Sequence, residues 1–456
     1  MVVAAPPPAD RVVSVPMPGA IASWVESLTG QGVRYVRFEL PDLHGVSRLK
    51  VVPIAQVESY ARKGLNFYGG TLALDTASSV VPNSGYHEER KYRDMALFPD
   101  LDSCTPVPWV ADTVKVVCDA YWSPDDPLPG APRYVLQSLL NVAEKMGFTV
   151  MMGHEFEFYL LDGKTKKPLF EGLHIFNHIR NQYVPELNQM LDYLQAAGID
   201  VITHNCEYAP SQFEINFGPG IGIKGADKAF TFKNAVKEIA HHLGYQASFM
   251  SKPFAGMAGC CCHFHISLWH TDGTNAFLDL ADPDGLSATA RSFTQGILDH
   301  APAMLPLIGP TPNCYRRLKP HTFAPSNISW GIEDRTAMVR VKATHDEATH
   351  LEMRAASGLS NPYLSAAATL AAGLLGIQAK RPLQPMSDGP SEDDPTLSPF
   401  PKTLDAALAA LAADEALQSM LGHEFCHLFA TVKAFELERF YDHITDWEVD
   451  EYLEVY

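Results

Sequence analysis

Residues 153–162 read GHEFEFYLLD, and the two glutamates set two positions apart constrain this chain more than any other feature. In a strand, residues i and i+2 point to the same face. Glu155 and Glu157 therefore look one way, while Phe156, Phe158 and Leu160 look the other. Two parallel carboxylates on an enclosed face repel each other and are costly to strip of water. One such strand on its own fits a solvated outer face, so the rest of the chain has to decide.

The pattern returns three times. In QFEINF, Gln212, Glu214 and Asn216 oppose Phe213, Ile215 and Phe217. In HFHISLW, His263, His265 and Ser267 oppose Phe264, Ile266 and Leu268; in LEMRA, Glu352 and Arg354 oppose Leu351 and Met353. These faces hold Glu, His and Arg, not the Lys, Thr and Ser that usually meet solvent. If the four strands share one curved sheet, its concave face gathers Glu155, Glu157, Glu214, His263 and Glu352, with Glu207 just upstream in HNCEYAPSQFE. Such a set cannot share a cleft without cations, because repulsion would hold most of the carboxylates protonated. Oxygen ligands with one imidazole suit Mg²⁺ or Mn²⁺ better than Zn²⁺, which would draw on Cys and more His. These side chains suffice for two metals. Two hard cations beside Arg317, Arg335, Arg340 and Arg354 are what phosphoryl transfer needs. The metals neutralise phosphate oxygens, and guanidiniums hold the remaining charge in fork geometry. The residues alone point to a two-metal, ATP-type phosphoryl-transfer site without a P-loop.

Composition narrows the setting. A chain of 456 residues, 46% apolar and 19% charged, is globular and long enough for two or three domains. A net charge of -18 argues against a nucleic-acid backbone or an anionic membrane as partner. None of the cysteines forms a C-x-x-C pair, and the consecutive Cys260, Cys261 and Cys262 fit neither a zinc ribbon nor a disulfide framework. They read as reduced, small packing residues beside His263. The N-terminus has no signal-peptide layout. The longest apolar stretch, LSAAATLAAGLLGI, is too short and too rich in small residues to span a bilayer, and reads as a close-packed buried helix. The expectation is a cytoplasmic protein with no membrane and no nucleic-acid partner. Along the chain, residues 1–20 read as a flexible tail, 21–122 as a small α+β domain and 126–456 as a large one. YWSPDDPLPGAPR reads as the linker, and DKAFTFKNAVKEIAHHLGYQASFM as one long helix.

The motifs GHEFEFYLLD, E-x4-Q-x-E (Glu207 to Glu214), SKPFAGMAGCCCHFHISL, NCYRRLKP…AP, DRTAMVRV and LEMRAASGLSNPYL occur in an order and spacing that resembles the glutamine synthetase superfamily. The resemblance covers roughly residues 20 to 456. It implies a β-grasp-like N-terminal domain and a catalytic domain built on a bowl of curved antiparallel sheet flanked by helices. It also implies stacked rings, such as a dodecamer, with each site between two subunits. Carried across, Glu157, Glu207 and Glu214 look like the ligands of a first metal beside glutamate. Glu155, His263 and Glu352 look like those of a second at the ATP phosphates. Gly259, Arg317 and Arg354 match glutamate-holding positions, while His265, Ser267, Arg335 and Arg340 match ATP-contacting ones. Arg335 would also stabilise the transferring phosphoryl group. The implied chemistry is attack of the γ-carboxylate of L-glutamate on ATP, giving γ-glutamyl phosphate, which an amine converts to an amide.

Two departures bear on which amine. Where ammonia-using members carry an aspartate in an N-terminal loop, this chain reads NFYGGT and has Tyr68. Where they carry a glutamate on a flap, it has Phe323 in RLKPHTFAP. Losing both removes carboxylates that would attract ammonium and supplies rings suited to an amine bearing carbon. Glu347 and Ala258 replace a phosphate-side lysine and an asparagine near the glutamate site. The reading is an ATP-dependent glutamate–amine ligase acting on a small organic amine. Its alternatives are an ordinary glutamine synthetase, a non-catalytic relative, and a guanidine-phosphorylating enzyme with a related sheet. The intact metal set speaks against the second, and the full-length N-terminal domain against the third.

Overall fold

The computed structural model describes residues 15–172 and 175–456. The N-terminal part is a sheet of β1 (Tyr35–Pro41), β2 (Ser47–Pro53), β3 (Leu65–Tyr68), β4 (Asp94–Pro99), β5 (Thr105–Pro106), β6 (Thr113–Ser123) and β7 (Asp126–Pro127). Its order is β2-β1-β6-β4-β3, with β5 and β7 also on β6. The expected hairpin is β1 with β2. Asp42 closes its turn by accepting the His44 and Val46 N–H groups, each at 2.9 Å. Gly45, at φ +75, lies so close to Asn361 that a Cβ would stand 3.1 Å from its Cα. A side chain there would push the turn off the larger domain.

Three expectations need correction. The segment read as a linker is a compact hairpin: β7 folds back on the end of β6, and Pro132 then opens the helix Pro132–Lys145 at a position that needs no N–H. The boundary expected at 122–126 thus falls inside a paired element. The long helix from Asp227 to Met250 instead runs Ile223–His242. It stops because Gly244 turns the chain at φ +87, and the next residues pair with the central strand. The expected tail lies outside the described residues up to residue 14, but its last residues already belong to the helix Pro18–Gly30, which Pro18 opens.

The second sheet contains β8 (Phe148–Asp162), β9 (Val201–Cys206), β10 (Gln212–Phe217), β11 (Gly220–Ile221), β12 (Tyr245–Ser248), β13 (Cys262–His270), β14 (Trp330–Ile332), β15 (Val339–Lys342) and β16 (His350–Met353). Its order is β14-β15-β16-β13-β8-β10-β9, with β11 and β12 also pairing β8. It curls into a half-barrel, and the helices Pro132–Lys145 and Ile223–His242 pack on its central strand β8. The architecture is α+β, as the alternation of strands and long helices implies. The small-residue helix Pro362–Ala379 is apolar and long enough to cross a membrane, yet most of it is packed inside the protein. Its glycines explain the composition: Gly376 meets Gly296 of the helix Ala288–Ile308 so closely that a Cβ on Gly376 would lie 2.7 Å from the Gly296 backbone.

The two parts are held together by buried charge. The Arg133 guanidinium, 1% exposed, donates to Asp119 at 2.6 Å, to Asp100 at 2.5 Å and to Asp227 at 2.8 and 2.9 Å. Asp100 and Asp119 belong to the N-terminal part and Asp227 to the helix Ile223–His242, whose carboxylate also accepts Tyr363 Oη at 2.6 Å. Removing one member of a buried ionic group strands the others. Arg133→Ala should therefore lower the unfolding free energy by about 3–5 kcal/mol in urea titrations. A loss below about 1 kcal/mol, the scale of a surface pair, would contradict this assignment.

A second tie lies at the helix His423–Tyr441. Its Glu436 accepts His44 Nε2 at 2.7 Å, Lys433 Nζ at 2.9 Å and the Thr76 N–H at 3.1 Å. Burial alone would raise its pKa, but the His44 hydrogen bond and the Lys433 charge bring it down to about 2 from 4.5. A carboxylate with a depressed folded pKa stabilises above its unfolded pKa and loses that contribution as pH falls. The stability gap between wild type and Glu436→Gln should be widest above pH 4.5 and close towards pH 2. Urea midpoints measured across that range test it, and a gap independent of pH would refute it.

Candidate active site

Register places the polar faces side by side. Glu214 of β10 stands opposite Glu157 of β8, and His263 of β13 opposite Glu155. His265 of β13 pairs with Glu352 of β16. All four patterned strands are therefore neighbours. Phe156, Phe158, Phe213, Phe264, Ile266, Leu351 and Met353 are buried on the other face. His154 lies on that apolar face too, stacked on Phe156 and hydrogen-bonded to the Pro362 carbonyl at 3.2 Å. Burial pulls its pKa down to about 3, so it is neutral and structural.

Glu157, Glu207 and Glu214 form the densest acidic cluster. One carboxylate oxygen from each lies within 4.8 Å of the others. The Cys261 N–H reaches Glu157 at 3.0 Å and Gln212 Nε2 reaches it at 3.3 Å. Asn205 Nδ2 holds Glu207 at 2.9 Å, and Asn216 Nδ2 holds Glu214 at 3.2 Å. Desolvation, then the negative charge of neighbouring glutamates, pushes the pKa values of Glu207 and Glu214 well above the carboxylate range. Three hard oxygen donors, two of them buried and one half-buried, that cannot all ionise alone fit a divalent cation of the Mg²⁺ or Mn²⁺ type.

The second expected set is arranged differently. His263 Nδ1 lies 2.8 Å from Glu155 and 3.5 Å from Glu352. His265 Nε2 is 3.7 Å from Glu155, and its Nδ1 is 3.0 Å from His350 Nε2. Burial would raise the Glu155 pKa, but hydrogen bonds from both histidines hold it well below the usual range. Glu352 accepts Arg340 Nη1 at 3.0 Å and also Arg354 Nη1. Burial opposes its ionisation, yet His263 and the two guanidiniums bring its pKa down to about 2. These side chains are held by one another and by Arg340 and Arg354 within the protein.

The arginines divide accordingly. Arg340 and Arg354 are buried on Glu352, and Arg340 also meets Glu333. Arg317 Nη2 donates to the Arg354, Ala355 and Ala356 carbonyls at 3.2, 2.9 and 2.9 Å. Gly259 lies flush against it: a Cβ there would be 2.8 Å from Arg317 Cγ. Arg335 differs. Its side chain is exposed, and among the described residues no hydrogen bond or ion pair engages its guanidinium. Ser267 is buried on the same face as His263 and accepts Trp269 Nε1 at 2.9 Å.

Tyr68 ends β3 and bonds to His87, Oη to Nδ1 at 2.7 Å. His87 Nε2 must donate to the Ala73 carbonyl at 3.1 Å, so Nδ1 is the acceptor and Tyr68 the donor. Among the described residues, no hydrogen bond or ring contact joins Tyr68 to the acidic cluster within one chain. Phe323 is exposed, and its ring stacks on Tyr208, next in sequence to Glu207. Sequence reasoning missed Tyr208, because it lies in the turn between β9 and β10, where no period-two pattern marks it. It also missed His87, His350 and the contact of Cys261 Sγ with His263 Nε2 at 3.1 Å. The cysteines are free and, in the 260–262 run, fully buried, with burial raising each thiol pKa. That leaves them as packing residues.

A curled sheet carrying a dense acidic cluster beside a carboxylate–histidine–arginine set is the site, and comparison with known proteins gives its class. Residues 129–452 match the family of the glutamine synthetase catalytic domain. The chain belongs to the glutamine synthetase family and is an ATP-dependent carbon–nitrogen ligase of the kind that uses ATP and divalent metal ions. It is 34% identical over 439 residues to a glutamine synthetase of Thermotoga maritima, covering 93% of this chain and 97% of that one. It is 31% identical over 435 residues to a glutamate–isopropylamine ligase of a Pseudomonas species, covering 92% and 95%. Among solved structures it resembles a complex of GmaS, a γ-glutamylmethylamide synthetase, with ADP. The TM-score is 0.85 at 30% identity, over 94% of this chain and 99% of that one.

If the acidic cluster binds a divalent cation, binding must displace protons from groups that burial keeps protonated. Mn²⁺ titrated into the protein by calorimetry, in buffers of differing ionisation enthalpy, should release protons and bind more tightly as pH rises. Glu157→Gln should weaken binding at least tenfold with the fold intact by circular dichroism. Unchanged Mn²⁺ affinity in that variant would remove Glu157 from the ligand set.

Proposed function

We propose that the protein joins the γ-carboxylate of L-glutamate to a small organic primary amine, through γ-glutamyl phosphate. The observation that carries this reading is an exposed phenylalanine ring, Phe323, where the family resemblance leads one to expect a carboxylate. The amine-ligase relatives, similar over nearly the whole chain, support it.

On this reading Glu157, Glu207 and Glu214 hold one divalent cation, Mg²⁺ or Mn²⁺, and Glu155, His263 and Glu352 a second. Bound there, the cations supply neutralisation of phosphate charge. The free guanidinium of Arg335 meets the phosphoryl group in transfer, and Arg340, His265 and Ser267 line the ATP side. Arg317, Arg354 and Gly259 shape the glutamate side. A γ-carboxylate oxygen attacks the terminal phosphorus, and the bond to the departing ADP oxygen breaks. The neutral amine then attacks the acyl carbon, phosphate leaves with the bonding pair, and the nitrogen gives up a proton. Because Tyr68 donates its own proton to His87, its oxygen lone pairs remain free to accept. Tyr68 serves a site on a neighbouring subunit if the protein forms stacked rings, as a dodecamer in the cytoplasm.

An ordinary glutamine synthetase is the second reading, favoured by the slightly higher identity to the Thermotoga maritima enzyme. The two separate on charge. Ammonium is recognised through its charge, whereas an organic amine also gains by burying carbon, about 0.8 kcal/mol per CH₂. Two or three carbons give roughly tenfold or more. An amine panel with glutamate and ATP, scored by phosphate release and amide mass, should show that preference for a monoamine over ammonium. Polyamines should be poorer, and Tyr68→Asp with Phe323→Glu should shift the preference towards ammonium. Glutamine formation from millimolar ammonium as fast as any amide would decide for the second reading.

A further inference from the structure

Tyr208 stands 44% exposed and Phe323 58% exposed, stacked with ring centroids 5.8 Å apart and planes 22° from parallel. Nothing apolar has to hold them there. Tyr208 comes from the turn between β9 and β10 and Phe323 from the segment after Arg317, so two separate loops converge on this one contact. Phe323 does so from an unfavourable backbone. Its φ of +55 lies in the left-handed region that a bulky residue avoids, and His321, two residues earlier, is there too at φ +60. The segment is pinned regardless: the Phe323 carbonyl accepts Arg354 Nη2 at 3.3 Å, and Thr322 Oγ1 donates to the Lys319 carbonyl at 2.6 Å. Strain retained at an exposed aromatic residue beside a site points to function, since burial gains too little to select it. On the other side, Tyr208 follows Glu207 directly in the chain, so its ring is carried at the edge of the acidic cluster.

We infer that Tyr208 and Phe323 form a single aromatic wall that selects the amine. The rings are stacked at 5.8 Å, so a substrate meets either their shared edge or the outer face of one ring. This surface offers carbon contact to an alkyl or aryl group, and an outer ring face offers cation–π attraction to an arriving ammonium end. It offers no second carboxylate for the far end of a diamine. This inference rests on the reading that the substrate is an organic amine. It adds Tyr208 as a specificity residue and makes the two rings one unit.

The test compares isobutylamine and aniline with ammonium, using the full chain with ATP, glutamate and Mg²⁺. Tyr208→Ala and Phe323→Ala should each raise the KM for isobutylamine about fivefold or more, with a smaller effect on the KM for ATP. The isobutylamine-to-ammonium ratio of kcat/KM should fall in step, and Tyr208→Phe should stay within about twofold of wild type. Because the rings act together, the double alanine variant should lose less than the product of the two single losses. If wild type amidates isobutylamine and the folded alanine variants keep its ratio to ammonium, the wall is overturned while the ligase reading stands. If wild type amidates neither organic amine, both fall. Should one alanine variant fail to fold, the other decides, since the rings belong to different loops.

Discussion

Glu214 lies directly across the ladder from Glu157. Like charges facing each other on adjacent strands destabilise a sheet, and here both are largely shielded from water. The same face carries Glu155 two residues earlier on β8, and Glu352 on β16 beyond β13. A sheet with this register needs positive charge on its concave side. The structure provides it unevenly. Glu155 and Glu352 have histidines and arginines, so they stay ionised. Glu207 and Glu214 have only amide donors, so burial and like charge push their carboxyls up towards the protonated form. The difference between a carboxylate set partnered by histidines and arginines and one partnered only by amides follows from which residues lie across the ladder.

Rigidity around that face comes from behind and from the side. Phenylalanines on β8, β10 and β13 lock the convex face against helices, and the Gly296–Gly376 contact lets those helices approach closely. The Arg133 hub and the Glu436 cluster then fix the N-terminal part on the larger one. Neither tie touches the acidic cluster. They hold the scaffold still enough for the carboxylates to keep ångström-scale spacing, which electrostatic chemistry requires.

Much of this was legible in the sequence because period two is a strong signal. Glu155/Glu157, Gln212/Glu214 and His263/His265 declare their faces from spacing alone, and one shared sheet follows from the chemistry they have in common. What spacing cannot carry is partnership. Nothing along the chain says that Arg354 and Arg340 turn inward to Glu352 while Arg335 does not. Nor does it pair Arg133 with three aspartates spread across both parts of the chain. The helix expected to run through residues 227–250 failed for a local reason: Gly244 is one residue in an otherwise helical pattern, and its left-handed turn ends the helix. Tyr208 escaped notice because it sits in a turn, where no periodicity marks a side chain's direction.

Arg354 joins these observations into one arrangement. Its Nη1 meets Glu352, its Nε donates to the Arg335 carbonyl at 3.0 Å, and its Nη2 reaches the Phe323 carbonyl. One guanidinium therefore ties the carboxylate–histidine set to the backbone of the free arginine and to the aromatic flap. From Glu352 the chain of contacts continues to His263 and on to Glu155. This is a static tie, and no alternative arrangement of it is needed to explain the site. Its consequence is geometric: the ring proposed to sort amines, and the arginine proposed to meet phosphate, are indexed to the same side chain. A lysine at position 354 would keep the charge but could not make three divergent bonds from a planar fork. The demand for that fork is the physical reason an arginine stands there.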